Sequence, residues 1–193
     1  MSYRRSPAER RAEKSAVDDP GVVLDAALRF LESRARSEAE VRRRLTFAGY
    51  RAELVEDAIT RLRELGMLDD AAFARAWVES RDRARPRGER ALRQELSLKG
   101  IERGLLDEVL VERRAAPAAD GADPVDVDAL GAERLLARNA RALDRVADPR
   151  VRRQRAYALL ARNGFDPAIC ASASAAMIRA AATGDEGDAV DPE

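Results

Sequence analysis

Apolar residues recur along most of this chain at intervals of three and four. Leu24, Ala27, Leu28 and Leu31 share one helical face. Ser37-Glu38-Ala39-Glu40 has the spacing of a capping box, in which the Ser37 hydroxyl and the Glu40 carboxylate satisfy the free N–H groups of a helix start. The helix it opens turns Val41 and Leu45 inward and ends at Gly49, since glycine accepts the left-handed conformation that closes helices. Leu54, Val55, Ala58, Ile59, Leu62 and Leu65 define a further helix, which Gly66 stops. Residues 24–66 thus predict three helices with short connections.

The pattern repeats. "VRRRLTFAGYRAELVEDAI" (41–59) aligns without gaps to "LRQELSLKGIERGLLDEVL" (92–110). Leu45 matches Leu96, Gly49 matches Gly100, and Tyr50 matches Ile101. A third copy, "AYALLARNGFDPAICASAS" (156–174), supplies Leu160, Gly164 and Phe165 at those places. Arg34, Arg81 and Arg138 also share a register, each three residues after Leu31, Val78 and Leu135. The expected fold is all-α, an elongated array of three tandem three-helix repeats at 22–68, 69–114 and 129–182. Each unit is too small to bury much alone, so neighbours share apolar faces. Pro117, Gly121 and Pro124 interrupt helix between repeats two and three, predicting a flexible linker at 115–128. Residues 1–21 and the acidic tail 183–193 lack apolar periodicity and are expected to be disordered.

Composition agrees with helices: 46% of residues are hydrophobic but only 4% aromatic, too few for a typical sheet core. Basic and acidic side chains balance at 35 each, and all the bases except Lys14 and Lys99 are arginine, a fork-shaped group suited to phosphate and carboxylate. One cysteine, Cys170, and no histidine exclude a disulfide within the chain, a Cys/His zinc site and histidine acid–base catalysis. No phosphate loop is present, so no cofactor or metal is expected. The chain has no apolar run long enough to span a membrane and no apolar signal core, so it is expected to be cytoplasmic.

The adjacent carboxylates Asp69 and Asp70 follow the Gly66 stop and precede an apolar run, which fits helix capping better than a metal or catalytic pair. Phe73, Trp77 and Val78 lie at helical spacing; a packed face is the plainer reading of Trp77, and stacking on a nucleobase is the alternative. Arginines cluster at three places near the starts of the middle helices. These are Arg42, Arg43 and Arg44; then Arg81, Arg83, Arg85, Arg87, Arg90 and Arg93; then Arg150, Arg152, Arg153 and Arg155. Such recurrence favours an anionic partner over a simply solvated face. Arg34 and Arg81 also fit a bracing role between helices. A three-helix unit is also the core of helix-turn-helix DNA readers, but "RAELVEDAITRLREL" is acidic on its polar side, which disfavours base readout. A helical scaffold for another protein is a third reading, and an enzyme fits least.

The segments "ALRFLESRARSEAEVRRRL", "LRELGMLDDAAFARAWVESR" and "LRQELSLKGI" resemble the RecX family of bacterial recombination regulators. The "LDD..FA...V.SR" block followed by "KGI" is distinctive; the likeness covers residues 24–112, and the third copy extends it in architecture to 180. The resemblance implies a non-enzymatic, monomeric modulator of the RecA recombinase in DNA repair and recombination. Similar proteins bind the RecA–DNA filament and inhibit its growth, its ATP hydrolysis and strand exchange. It implies contact with RecA, and with single- or double-stranded DNA through the filament or directly. The clustered arginines, Arg34 and Lys99 are the candidate contacts, while Ser37, Gly49, Gly66, Asp69, Asp70, Trp77, Gly100 and Gly164 hold the structure.

Overall fold

The computed structural model of the chain describes residues 6–115 and 126–185, with side chains to residue 180. The described residues form ten helices and no strand: α1 (Pro7–Ser15), α2 (Pro20–Leu31), α3 (Glu38–Ala48), α4 (Ala52–Glu64), α5 (Asp70–Ala84), α6 (Glu89–Lys99), α7 (Arg103–Ala115), α8 (Val127–Asp144), α9 (Pro149–Arg162) and α10 (Pro167–Asp185). None of them is long and apolar enough to cross a membrane.

Two compact units emerge from the contacts. Among the described residues, the first combines those up to 76 with 96–105; the second combines 77–95 with those from 106 onward. In the first, Val23 and Ala27 of α2 meet Val41 and Leu45 of α3 and Val55, Ile59 and Leu62 of α4, all buried. In the second, Ala132 and Leu136 of α8, Ala156 and Leu160 of α9, Phe165 and Cys170 form a buried cluster. Truncating one such leucine to alanine costs about 2–5 kcal/mol, through lost transfer energy and the cavity left behind.

The helix starts carry the chemistry that makes them. Ser37 and Glu40 form the capping box of α3. The Asp69 carboxylate accepts from the Ala72 N–H at 2.8 Å, capping α5. Asp126 and Asp148 cap α8 and α9. Gly49, Gly66, Gly100 and Gly164 all have positive φ.

A joint recurs at equivalent repeat positions. In the first unit the Ser37 hydroxyl donates to the Lys99 carbonyl at 2.6 Å. In the second the Gly88 N–H donates to the Asn163 carbonyl at 3.0 Å. Each acceptor precedes a turn glycine, Gly100 or Gly164, and a Cβ on that glycine would overlap Ala39 or Ala91.

Four expectations change. Residues 7–15 are helical rather than disordered, because Ser6 and Glu9 form a reciprocal capping box with Pro7 at the first position. That helix has no buried residue, so apolar periodicity could not reveal it. It is held instead by its contact with Gly49, where a Cβ would lie 2.6 Å from Arg11 Cγ. Val17 packs on the core beside it. The linker expected at 115–128 is helical at both margins, at Ala115 and from Val127; residues 116–125 lie outside the described residues. Helix α10 runs through Asp185, into the expected tail, and 186–193 also lie outside the described residues. Leu65 caps α4 but is 48% exposed, so it is not part of the buried face.

Candidate interaction surface

The three arginines in register all brace local structure. Arg34 pairs with Glu40 at 3.3 Å. Arg81 donates to Glu95 at 2.7 Å and lies 4.4 Å from the Trp77 ring centroid, an ion pair backed by a cation–π contact. Arg138 donates to the carbonyls of Arg83 and Ala84 near the C-terminal end of α5, where a cation meets the negative end of a helix dipole.

The clustered bases divide into two sets. Arg42 grips Glu56 with both arms, at 2.6 and 2.9 Å. That hydrogen bond raises the Arg42 pKa and lowers that of Glu56. Arg43 donates to the Leu98 carbonyl at 3.3 Å. Arg83 pairs with Glu79 at 2.6 Å. Arg87 contacts Asn163 and Glu95. Arg93 pairs with Asp107 and Glu89, and the bond to Asp107 raises its pKa. Lys99 pairs with Glu40 at 2.8 Å. Burial alone would raise the Glu40 pKa, but Lys99, the Ser37 N–H and Arg34 bring it below the usual range. Arg152 donates to the Val146 carbonyl at 3.0 Å.

Arg44, Arg85, Arg90, Arg150, Arg153 and Arg155 form the second set. They are exposed and have no ion pair among the described residues. All but Arg44 flank the starts of α6 and α9. A guanidinium already paired loses that pair when it turns to a partner, whereas an unpaired one gives up only hydration.

The carboxylates act structurally. Asp70 reaches back to accept the Glu38 N–H at 2.9 Å, bringing the start of α5 to the start of α3. Burial raises its pKa, partly offset by that bond. Trp77 is half-buried rather than fully buried, and its indole N–H donates to Glu95 at 2.8 Å, which disfavours nucleobase stacking by this ring. Cys170 is buried; burial and Asp166 push its thiol pKa up, away from reactivity.

Several residues that organise these elements escaped the sequence reading. Glu95 serves Trp77, Arg81 and Arg87 at once. Arg113, only 5% exposed, holds Asp82 through two hydrogen bonds and Asp128 at 2.7 Å. Burial works against its charge, but these partners outweigh that and raise its pKa. Asp128 also accepts the Glu89 N–H at 3.0 Å, so the triad ties the ends of α5 and α7 to the starts of α6 and α8. The acids lie far from Arg113 in sequence, and apolar periodicity carries no signal for such a pairing.

Comparison with known proteins places these elements. Residues 24–62 match the first three-helix domain of RecX, and residues 69–110 match the second. A regulatory protein RecX of Mycobacterium sp. (strain JLS) is 34% identical over 142 residues, 74% of each chain. The Deinococcus radiodurans protein of that name is 34% identical over 165 residues, 86% of this chain and 70% of its own. The crystal structure of RecX from Lactobacillus salivarius superposes with a TM-score of 0.67 at 19% identity, covering 84% of this chain and 98% of that one. A second crystal structure of regulatory protein RecX gives 0.64 at 22% identity, over 88% and 78%. The helix triplets, the glycine turns and these matches together make the chain a member of the RecX family of regulatory proteins.

Proposed function

We propose that this protein regulates RecA without catalysis of its own, as a cytoplasmic monomer that binds the RecA–DNA filament and inhibits filament growth, ATP hydrolysis and strand exchange. Family membership supports the RecA-directed role. The observation that carries the contact surface is the set of exposed arginines that have no ion pair among the described residues at the starts of α6 and α9: Arg85, Arg90, Arg150, Arg153 and Arg155. They are free to meet acidic side chains or phosphates on the filament, and several weak contacts of this kind sum by avidity. Arg34, Arg42, Arg81, Arg87 and Arg93 are occupied within the chain, so their part is to support that surface. Base readout in the helix-turn-helix manner fits less well, because α4 exposes Glu53, Asp57 and Glu64.

The test is RecA ATPase activity on single-stranded DNA with the protein added well below one copy per RecA. Inhibition at that ratio is expected. Combined reversal to glutamate of the five free arginines should abolish it with helicity unchanged. No inhibition by the parent at any ratio overturns the proposal. Inhibition that survives the reversal removes these arginines from the contact.

A further inference from the structure

Helix α9 opens on an unfavourable charge. The start of a helix is the positive end of its dipole, which favours acids and disfavours bases there. The other two middle helices obey this rule: α3 has Glu38 and Glu40 in its first turn, and α6 has Glu89. The first turn of α9 has no acid, and residues 149–162 hold five arginines and no carboxylate. The N-cap Asp148 is engaged with the N–H groups of Arg150 and Val151. Arg152 donates to the Val146 carbonyl and pairs with Asp144 at 4.0 Å. Arg150, Arg153 and Arg155 are exposed and have no ion pair among the described residues. Tyr157 lies one turn after Arg153, and Val151 one turn before Arg155; both apolar side chains are more than one-third exposed. The outer face of α9 thus suits an acidic ligand that also carries apolar groups.

The chain itself contains such a segment. Five of its 35 acids fall within 185–193, which holds no base, so the remainder carries 35 bases against 30 acids. The sequence there, "DEGDAVDPE", sets Ala189 and Val190 between Asp188 and Asp191. It continues from α10, which packs against α9 within the second unit. The eight residues after Asp185 extend to about 27 Å, and the 14 residues of α9 span about 21 Å, so the segment is long enough to lie along the whole helix. Single exposed ion pairs are weak, but attachment through α10 makes their closure intramolecular. We propose that residues 186–193 dock on the outer face of α9, with their carboxylates paired to Arg150, Arg153 and Arg155. The consequence for regulation rests on the reading given above of these arginines as a RecA contact: the segment covers that contact in the free protein, and the filament must displace it.

The experiment places a nitroxide on the full chain through Ala189→Cys and reads its effect by NMR, without RecA. Cys170 is buried and does not compete for the label. The amide signals of residues 150–157 should broaden at low salt. The broadening should disappear when Glu186→Gln, Asp188→Asn, Asp191→Asn and Glu193→Gln are combined, and when Arg150, Arg153 and Arg155 are all changed to glutamine. It should also fade at about 0.5 M salt, where exposed charges are screened. Circular dichroism verifies that each variant keeps the parent's helicity. Broadening that leaves α9 untouched, or that survives neutralisation of the segment, overturns the proposal. Equal broadening of an unlabelled chain mixed with the labelled one assigns the contact to a second copy and overturns it as well. If the face is covered in four molecules of five, the neutralised chain should inhibit RecA ATPase at an about fivefold lower concentration. Docking seen by NMR with an unchanged ATPase midpoint upholds the docking and counts against these arginines as the RecA contact, so the two readings fail separately.

Discussion

Arg113→Ala tests the buried triad most directly. It removes three charge-assisted hydrogen bonds, two to Asp82 and one to Asp128. Losing one partner of a buried ion pair costs about 3–5 kcal/mol, because the remaining charge is left uncompensated. Two features set the figure at the lower end. Asp82 keeps 24% of its side-chain surface exposed and can rehydrate, and Asp128 retains the Glu89 N–H. A loss of about 3 kcal/mol lowers the melting temperature by about 6–12 °C for a chain of this size. Trp77 lies in the same unit as the triad and is the chain's one tryptophan, so its fluorescence during urea unfolding reports that unit. Arg113→Lys keeps the charge but not the two-armed grip, and should fall between parent and alanine variant. A loss below about 1 kcal/mol for Arg113→Ala would place the triad in the range of an exposed pair and contradict its role as a buried tie. The triad would then be incidental to the attachment of α8.

Other outcomes follow from single sites. Gly100→Ala should cost more than Gly66→Ala in thermal melts: both have positive φ, worth about 1–2 kcal/mol of strain with a side chain, but only Gly100 also meets Ala39, while Gly66 faces open space. Equal shifts would show that the joint yields easily. Glu95→Gln should lower stability by about 1–3 kcal/mol, since Arg81 loses a charged acceptor and Arg87 an ion pair, and shift Trp77 emission as its indole N–H bond weakens. Glu40 and Asp70 should titrate with opposite signs. The folded-state pKa of Glu40 is lowered, so its contribution is present above the usual carboxylate pKa of about 4.3 and is lost as pH falls through the folded value. That of Asp70 is raised, so its ionisation costs stability as pH rises through the window above about 3.9, and Asp70→Asn should stabilise at pH 7. Urea midpoints of Glu40→Gln and Asp70→Asn between pH 3 and 7 measure both, and matching pH profiles would contradict the assignment.

The all-helical fold was legible wherever a helix buries a face. Leu45, Leu96 and Leu160 announce the middle helices because each is buried in equivalent company. Helix α1 was not legible by that route, since it buries nothing, yet "SPAE" at 6–9 carries the same capping signature as "SEAE" at 37–40. Arginine clusters were visible, but not which members are spent within the chain. Arg93 and Arg90 read alike in sequence; only the fold brings Asp107 into an ion pair with one and, among the described residues, leaves the other without such a pair. Phe47 reads as a helix residue like its neighbours, and its exposure depends on which face α3 turns to the core. Pairing and facing are long-range properties, and local periodicity does not encode them.

The joint at Lys99-Gly100 and Asn163-Gly164 is written almost wholly in backbone. Its acceptors are carbonyls, its space is the missing side chain of a glycine, and one of its two donors is itself a main-chain N–H. Such a contact places little demand on surrounding side chains. A lineage can therefore rewrite the polar surface of each helix triplet while the triplets go on fitting together. Sequence and architecture are thereby free to diverge at different rates, as two solved structures near one-fifth identity with the same fold attest.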